Sequence, residues 1–445
     1  MMKCGFYERN ITPPLGASMD GYFNLRPCQG VKDELYVKAL CVTNGEHTAA
    51  VVSVDIIYLP DGDFCDKVYE RVEKLSSSIK RESIILSATH SHTSGPHYHE
   101  RGIDLELDNM YINMLALHVA DAIILAEQRM EEAKLAYAVT NVEGVAFVRN
   151  YRMKDGSICT NPGYNNPDVV EPCCPPDTSL PSLFFYDMSG NIKGVLTNFA
   201  LHHDTVGGRL ASADYSGVLS QKLKETYGND FVCVFLNGPC GNVNHIDWIG
   251  GPNKSGIPNH IRIGSALADG IVSSEKDALA VTDCTVSGDR KFVKVKRRVV
   301  DTDLLAEAKD FVDNDKKVND FDSGKPDSLA FRIAVAPVIV KTYNNDCDEY
   351  ECPITAIRIG DCAIYATPCE MFSHYADVIK RNSPTDKVFI SELSSAQTVA
   401  YVPPVELLGY DSVYENHPIT RSLEETAGDK MTSAAIELGD KLFGR

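Results

Sequence analysis

The sequence predicts a mixed α/β (α+β) fold, in which mixed sheets flanked by helices form a single large domain over residues 1–445. The first observation is that hairpin signals alternate with strand–helix units along the chain. The second is an ordinary globular composition, with 44% apolar and 24% charged residues, which excludes a disordered or fibrous protein. The third is that no internal repeat or linker divides the 445 residues, a length that holds one large domain or two modest ones.

The first part of the chain alternates strand signals with helical stretches. Residues 35–59 are predicted to form two strands joined at Asn44-Gly45, a dipeptide typical of hairpin turns. Helices are predicted over 63–75 and 108–132, because apolar residues recur there at helical spacing. A short apolar strand over 83–87 lies between them.

The same alternation continues to the end of the chain. The predicted elements are strands over 183–186 and 194–202, a helix over 214–227, a strand over 231–236, a hairpin over 354–367, a helix starting near Glu370, a strand over 387–393 and a helix over 424–443. The polar stretch 313–328 is predicted to be a surface insertion, because strands and helices resume after it.

The charge and the N-terminal sequence exclude several classes of partner. A net charge of -19 repels phosphate backbones and anionic membrane surfaces, so no nucleic-acid partner is expected. The first residues lack the apolar core of a signal peptide, and no apolar run approaches the roughly 20 residues of a membrane helix. We therefore expect a cytoplasmic protein without stable membrane insertion. The sequence leaves open whether the protein forms a homo-oligomer.

The most distinctive motif is His90-Ser91-His92, directly after a predicted strand. Side chains two residues apart on an extended segment point to the same face, so both imidazoles can reach one site. His97 and His99 repeat this spacing, and four of the twelve histidines of the chain fall within ten residues. The motif indicates metal binding or catalysis, and a solvated polar loop is the alternative.

A second histidine motif, His202-His203-Asp204, also follows an apolar strand. Zinc sites are commonly assembled from imidazoles that distant strand ends deliver to one rim. The alternative is a core histidine bonded to the backbone. Further along, Asp214 opens a predicted helix, either as its cap or as a partner to one of the histidines.

Three further segments are informative mainly in combination. The glycine turn over 237–241 follows a strand and is expected to bring backbone N–H groups close to a ligand. Glu370 is either a helix cap or a metal ligand, and Tyr401 and Tyr414 lie near prolines, where tyrosines are ordinary packing residues. A P-loop, a G-x-S-x-G elbow and an H-E-x-x-H motif are all absent from the sequence.

Taken in order, these segments resemble the neutral/alkaline non-lysosomal ceramidase family over essentially the whole chain. The stretch 143–152 is similar to that of the shorter bacterial members. The other matching segments are N-I-T-P-P-L-G at 10–16, T-H-S-H-T-S-G-P at 89–96, F-A-L-H at 199–202, S-A-D at 212–214, G-N-V-N-H at 241–245, P-C-E at 368–370, Tyr401 and Tyr414-Glu415.

The resemblance implies a zinc-dependent hydrolase that cleaves a small-molecule amide substrate, an N-acyl compound, with a zinc-activated water. In this chain the family pattern places one Zn²⁺ per chain on His90, His202, Glu370 and Tyr401. His92 would shuttle a proton, Arg149 would orient the substrate, and Tyr414 would lie on the oxyanion side. The predicted substrate-binding residues are Gly241, Asn244 and His203.

Departures from the family pattern affect the expected substrate. Asn244 stands where the family has a serine, so any role of that hydroxyl is lost. The chain lacks the family's C-terminal immunoglobulin-like domain and an export signal, so an amide other than long-chain ceramide is expected. An esterase or lactonase with the same zinc site is one alternative. Another is a catalytically silent, metal-stabilised binding protein, against which the intact residue set argues.

Overall fold

The computed structural model describes residues 1–22, 25–314, 316, 329–344, 348–396, 400–410 and 412–445. Most of the polar stretch 313–328, predicted to be a surface insertion, lies outside these residues. The described part of the chain has eight α-helices and twenty-four strands, many of them short.

The α-helices carry the long apolar periodicities of the sequence. They are α1 (Phe64–Leu75), α2 (Leu105–Gln128), α3 (Asp214–Tyr227), α4 (Asn259–Glu275), α5 (Thr302–Asp313), α6 (Leu329–Tyr343), α7 (Ser373–Asn382) and α8 (Ala427–Phe443). Two short 3₁₀ turns cover Val405–Leu407 and Tyr414–Asn416.

The strands of the N-terminal half are β1 (Lys3–Asn10), β2 (Ser18–Met19), β3 (Arg26–Pro27), β4 (Gly30–Val31), β5 (Tyr36–Thr43), β6 (Thr48–Val54), β7 (Ile79–Ala88), β8 (Glu131–Asn141), β9 (Phe147–Val148), β10 (Asn150–Met153), β11 (Ile158–Thr160), β12 (Val169–Pro172), β13 (Ser179–Asp187) and β14 (Ile192–Phe199). The later strands are β15 (Leu210–Ala211), β16 (Val232–Asn237), β17 (Val243–Asn244), β18 (Leu279–Val281), β19 (Val286–Lys296), β20 (Glu349–Ile359), β21 (Cys362–Ala366), β22 (Glu370–Met371), β23 (Val388–Ser391) and β24 (Tyr401–Val402).

The largest sheet has nine strands in the order β16-β14-β13-β8-β1-β5-β6-β7, with β18 paired to β8. The β14–β16 and β6–β7 pairs are parallel, and the other pairs of this sheet are antiparallel. Although β16 and β7 stand at opposite ends of this order, they contact each other. The loops that follow β7, β14 and β16 therefore meet.

A second sheet, in the order β19-β20-β21-β23, packs against the first and gives an α/β/β/α arrangement. The core between the sheets contains Leu40 of the first sheet and Ile357 of the second. On the outer face of the large sheet, α1 and α2 cover Ala39 and its neighbours, and α3 and α4 cover the β13–β16 side. Helices α7 and α8 cover the outside of the second sheet.

The mixed α/β class is confirmed, and most predicted elements are present with shifted ends. Two differ. The helix predicted over 108–132 ends at Gln128, because β8 begins at Glu131 and pairs with β13. Glu370 does not open a helix. It lies in the short strand β22, which pairs with β24, and α7 begins at Ser373.

Helix α2 is long and apolar enough to cross a membrane by length and composition alone. It packs on α1, β1 and β5, and eleven of its 24 residues are buried, as in the core helix of a globular domain. The predicted absence of stable membrane insertion stays a prediction.

Candidate active site

His90 lies two residues beyond the end of β7, in a backbone conformation that is unusual for its residue type. Its φ is 73°, in the left-handed region of backbone conformation, which residues other than glycine and asparagine rarely adopt. The backbone N–H of His90 donates to Ile56 O (2.9 Å), and Nδ1–H donates to Ile57 O (3.1 Å). This second bond leaves the lone pair on Nε2, which points into the site.

His202 follows β14 and is fixed in the same way. Its Nδ1–H donates to the carbonyl oxygens of Cys240 (2.9 Å), in the loop after β16, and Val243 (3.0 Å), the first residue of β17. Its Nε2 therefore also carries a lone pair. Backbone bonds to Nδ1 that orient Nε2 are a usual feature of metal-binding histidines.

Glu370 and Tyr401 are directly paired residues of the two short parallel strands β22 and β24. Glu370 is fully buried, and its Oε1 accepts a hydrogen bond from Tyr58 Oη (2.5 Å). Its Oε2 lies 3.4 Å from His90 Nε2 and 3.3 Å from His202 Nε2. Tyr401 Oη is 3.1 Å from His202 Nε2. The structure thus brings together His90, His202, Glu370 and Tyr401, which we call the ligand set.

The electrostatics of these groups favour a carboxylate at Glu370 beside a neutral imidazole at His202. Burial would raise the pKa of Glu370, but His90 and His202 hold it well below its usual range. Burial, together with the nearby Arg149, lowers the pKa of His202 to about 3. At neutral pH the centre therefore holds an anionic oxygen and an unprotonated imidazole nitrogen. Burial and Glu370 raise the pKa of Tyr401 well above its usual value, so its phenol keeps its proton.

The ligand set fits a metal ion. Glu370 Oε2 is buried and has no hydrogen-bond partner among the described residues, which is costly for a charged oxygen. The ring nitrogens of His90, His92 and His202 also lie within 4.8 Å of one another. Imidazole nitrogens with carboxylate and phenol oxygens are donors that suit zinc.

His92 lies beside the ligand set and borders the molecular surface. Its Nε2 is 3.4 Å from His90 Nε2, and its Nδ1 is 3.8 Å from Asp204 Oδ1, which accepts a hydrogen bond from Tyr22. Burial lowers the pKa of His92 to about 4, although Asp204 opposes the shift. The backbone at Gly21 passes very close to His92, which requires glycine, because a Cβ at position 21 would lie 2.8 Å from His92 Cα.

Arg149 packs against both tyrosines of the site. Its guanidinium lies 5.2 Å from the ring centre of Tyr401 and 5.9 Å from that of Tyr414. Its Nε forms an ion pair of 2.6 Å with Glu415, which is fully buried. Its Nη2 donates to Gly241 O (2.7 Å). Arg149 and Tyr414 therefore border the ligand set, and their catalytic roles stay predictions.

The glycine turn packs two loops together and does not offer its N–H groups to a ligand. Gly241 N–H donates to Met371 O (2.9 Å), and its carbonyl accepts from Arg149. A Cβ at Gly241 would lie 2.7 Å from Glu370 O, so the close approach requires glycine. The expected ligand contact of Gly241 is corrected accordingly. Asn244 is close to the site, and both ends of its amide are engaged, with Asn161 and with Ile246 N–H.

His203 is the second correction among the predicted substrate-binding residues. Its ring is fully buried and stacks on Tyr215 at 3.8 Å between ring centres, with Phe235 at its edge. Neighbouring residues of an extended segment face opposite ways, so this side chain points into the core while His202 points into the site. His203 supports the site through its carbonyl, which accepts from His92 N–H (3.1 Å).

Several residues of the site carry no local signal in the sequence. Tyr58 orients Glu370 from a position 312 residues away. Glu392 is fully buried beneath the site. Its carboxyl group accepts hydrogen bonds from the backbone N–H groups of Cys240 (3.2 Å) and Met371 (3.1 Å), and these two bonds join the segments that follow β16 and β21. Asp204 was noted only as part of the second histidine motif.

The fold and the site together define a mixed α/β protein with a buried His/Glu/Tyr cluster at the ends of its strands, which could hold a metal ion. No family model matches the sequence. The structure is similar to that of neutral ceramidase from Pseudomonas aeruginosa, with a TM-score of 0.74 and 14% identity over 100% of this chain and 75% of that chain. A ceramidase complexed with C2 gives a TM-score of 0.72 and 16% identity over the same shares. The chain therefore has the neutral ceramidase fold, which confirms the predicted resemblance at the level of fold.

Proposed function

We propose that the protein is a hydrolase that cleaves the amide bond of a small N-acyl compound, with one zinc ion held by the ligand set. One observation carries this proposal. Glu370 Oε2 lies within 3.4 Å of His90 Nε2 and His202 Nε2, although both Nδ1 atoms carry the imidazole protons. Three lone-pair atoms this close repel each other unless a cation lies between them. The fold shared with two ceramidases supports an amide as the bond that is cleaved.

Zinc bound by this set would supply a Lewis acid that polarises a carbonyl group and brings the pKa of water towards about 7. The protein prepares its ligands without further rearrangement. The backbone carbonyls that fix both Nδ1 atoms, and Tyr58 on the other carboxylate oxygen, hold the donor atoms in place. Arg149 adds positive charge beside Tyr401, which would stabilise negative charge on an attacked carbonyl next to the ligand set.

We assign proton transfer to His92. Its low pKa keeps the imidazole neutral at physiological pH, so it can accept a proton from the attacking water. The negative charge of Asp204, 3.8 Å from Nδ1, would favour the proton on that nitrogen, so Nε2 would be the atom that takes a proton and returns it to the leaving nitrogen. Asp204 stabilises the imidazolium while it exists, and Tyr22 holds Asp204 by its phenol hydrogen bond.

Elemental analysis and a substrate screen test the proposal. Protein purified without chelator should contain one zinc per chain and hydrolyse N-acyl p-nitroanilides. Glu370→Gln keeps the size of the side chain but removes its charge, so zinc content and turnover should both fall. Glu171→Gln, at an exposed glutamate, is the matched control and should change neither.

Two results would contradict the proposal. A folded protein that contains no transition metal would rule out the zinc centre. Turnover of ester or lactone probes, with none of any amide, would identify the esterase or lactonase alternative.

A further inference from the structure

The strand β11 and the residue after it connect three of the predicted site residues, Arg149, Tyr414 and Asn244. Thr160 Oγ1 donates to Glu415 (2.7 Å), the partner of Arg149, and accepts from the backbone N–H of Tyr414 (3.1 Å). Asn161 N–H donates to Arg149 O (2.8 Å). This segment therefore lies against the side of the site where Arg149 and Tyr414 meet.

The Asn161 side chain extends the connection to the loop after β17. Its Oδ1 accepts two hydrogen bonds, from Asn244 Nδ2 (3.2 Å) and from the indole N–H of Trp248 (3.0 Å). Asn161 has a φ of 52°, which asparagine tolerates better than most residues. Trp248 is thus tied, through one side chain, to a residue beside the ligand set.

Trp248 and Tyr164 form a partly exposed aromatic pair next to this connection. Their ring centres are 4.7 Å apart, with 46° between the ring planes. Tyr164 is 46% exposed, and Ile249, which follows Trp248 in the sequence, is 53% exposed. Asn165 N–H donates to Trp248 O (3.0 Å), which joins the two loops a second time.

A fixed, solvent-facing aromatic pair is typical of ligand recognition. The bond to Asn161 satisfies the polar atom of the indole and sets the orientation of its ring, so the exposed faces of the two rings offer apolar carbon surface. Binding an apolar group over aromatic surface of this kind is favourable in free energy and costs little side-chain entropy.

We propose that Tyr164 and Trp248 form a recognition surface for an apolar group of the substrate. This inference rests on the proposed function for calling the ligand a substrate. The apolar group belongs either to the acyl part or to the amine part of the amide, since both present the same hydrocarbon chemistry to the two rings.

The single tryptophan of the chain reports directly on this surface, so binding can be followed without turnover. The full-length protein, treated with chelator to prevent hydrolysis, is titrated with N-octanoylglycine and with N-octylacetamide, which carry the chain on opposite sides of the amide. N-acetylglycine is the probe without an apolar chain. One octyl-chain probe should change the tryptophan emission saturably, and N-acetylglycine should not.

Variants locate the binding. Tyr164→Ala should weaken the affinity for the octyl-chain probe by about 5-fold, as expected for loss of one aromatic contact. Phe292→Ala removes an exposed aromatic residue from the second sheet, where Phe292 is 58% exposed, and should leave the affinity unchanged. Asn161→Gly keeps the left-handed backbone accessible and removes only the side-chain bonds, so it should shift the ligand-free emission and weaken binding.

The outcomes separate this inference from the proposed function. An emission that responds to neither octyl-chain probe, or an unchanged affinity in Tyr164→Ala, overturns the recognition surface even if amides are hydrolysed. Saturable binding that Tyr164→Ala weakens supports the surface. If the zinc-loaded protein then hydrolyses no amide, the proposed function fails while the binding surface stands.

Discussion

His90 and His92 are two residues apart and contact each other, yet their surroundings differ. His90 is fully buried and fixed by a backbone carbonyl, whereas His92 borders Tyr22 and the partly exposed Asp204. Neighbours on one face of a loop can therefore have separate tasks. We therefore assign His90 to the proposed metal ligands and His92 to proton transfer.

We expect His90→Ala to lose zinc and activity together, because a site short of one ligand binds metal far more weakly. His92→Ala should keep its zinc and lose about 100- to 10,000-fold in turnover, mainly in kcat, as is typical when a general acid–base is removed. Zinc content and kinetics of both variants, measured side by side, test the assignment. A metal-free His92→Ala beside a zinc-replete His90→Ala would reverse it.

Asn244 replaces the serine of the family pattern without leaving an unpaired polar group. Its amide nitrogen donates to Asn161, and its oxygen accepts from Ile246 N–H. We therefore expect the unaltered protein to be active and Asn244→Ser to change the rate only modestly. Steady-state kinetics would contradict this if the serine variant gained about a thousandfold, roughly 4 kcal/mol of barrier.

Residue types predicted the centre of the site better than its surroundings. The two histidine motifs were singled out because imidazoles in that pattern suit a metal site, whereas Glu370 and Tyr401 were assigned as ligands only through the family resemblance. Tyr58 and Glu392 were not found, since a phenol or carboxyl becomes a supporting group only through its position in the fold. His203 was misplaced because alternation along a strand decides which of two adjacent histidines faces the site.

At the scale of elements, the site depends on strand pairs that no local pattern reveals. Strands β22 and β24 have only two residues each, and their pairing places Glu370 directly beside Tyr401. The sequence around Glu370 predicts a helix start instead of a strand. Its strand partner comes about thirty residues later, so the local sequence gives no sign of the pairing. By contrast, helices α1 and α3 were located almost to the residue, since their apolar spacing is sufficient by itself.

The close contact between the glycine turn and β22 gives a test at this scale. In Gly241→Ala the new Cβ would lie 2.7 Å from Glu370 O and 3.0 Å from Met371 O, so the two loops must separate. We expect the free energy of unfolding to fall by about 1–3 kcal/mol, as for other overpacked sites, and zinc to bind more weakly. Denaturant unfolding and a zinc titration measure the two effects.

Gly409→Ala is the matched control for that experiment. Among the described residues, and apart from the two chain neighbours, no atom lies within 4 Å of a Cβ built at Gly409, so the stability of this variant should change by less than about 0.5 kcal/mol. Equal effects of the two substitutions would show that the contact between the loops has no special importance.

For the whole molecule, buried imidazoles link stability to pH. Burial lowers the pKa of His202 to about 3 in the folded protein, against about 6.5 in an unfolded chain. Between these values the unfolded state binds more protons, so stability rises with pH and is lost as pH falls below about 6.5. His202 alone contributes a slope of about 1.4 kcal/mol per pH unit in this window.

We therefore expect metal-free protein to lose stability between pH 6.5 and 5 more steeply than the variant His202→Gln does, by about 1.4 kcal/mol per pH unit. Chelator is present throughout, because metal binding would add its own pH dependence. Denaturant unfolding at several pH values gives both slopes. Parallel slopes would mean that His202 titrates normally in the folded state.

One feature of the site has a consequence for how the protein folds. The hydrogen bond between Tyr58 and Glu370 joins residues 312 positions apart, and the ion pair between Arg149 and Glu415 joins the two ends of a similarly long loop. Contacts of such high contact order form late, because the intervening chain must first be ordered. Metal-binding competence should thus appear last during refolding, which makes it a more stringent measure of the native state than helix content.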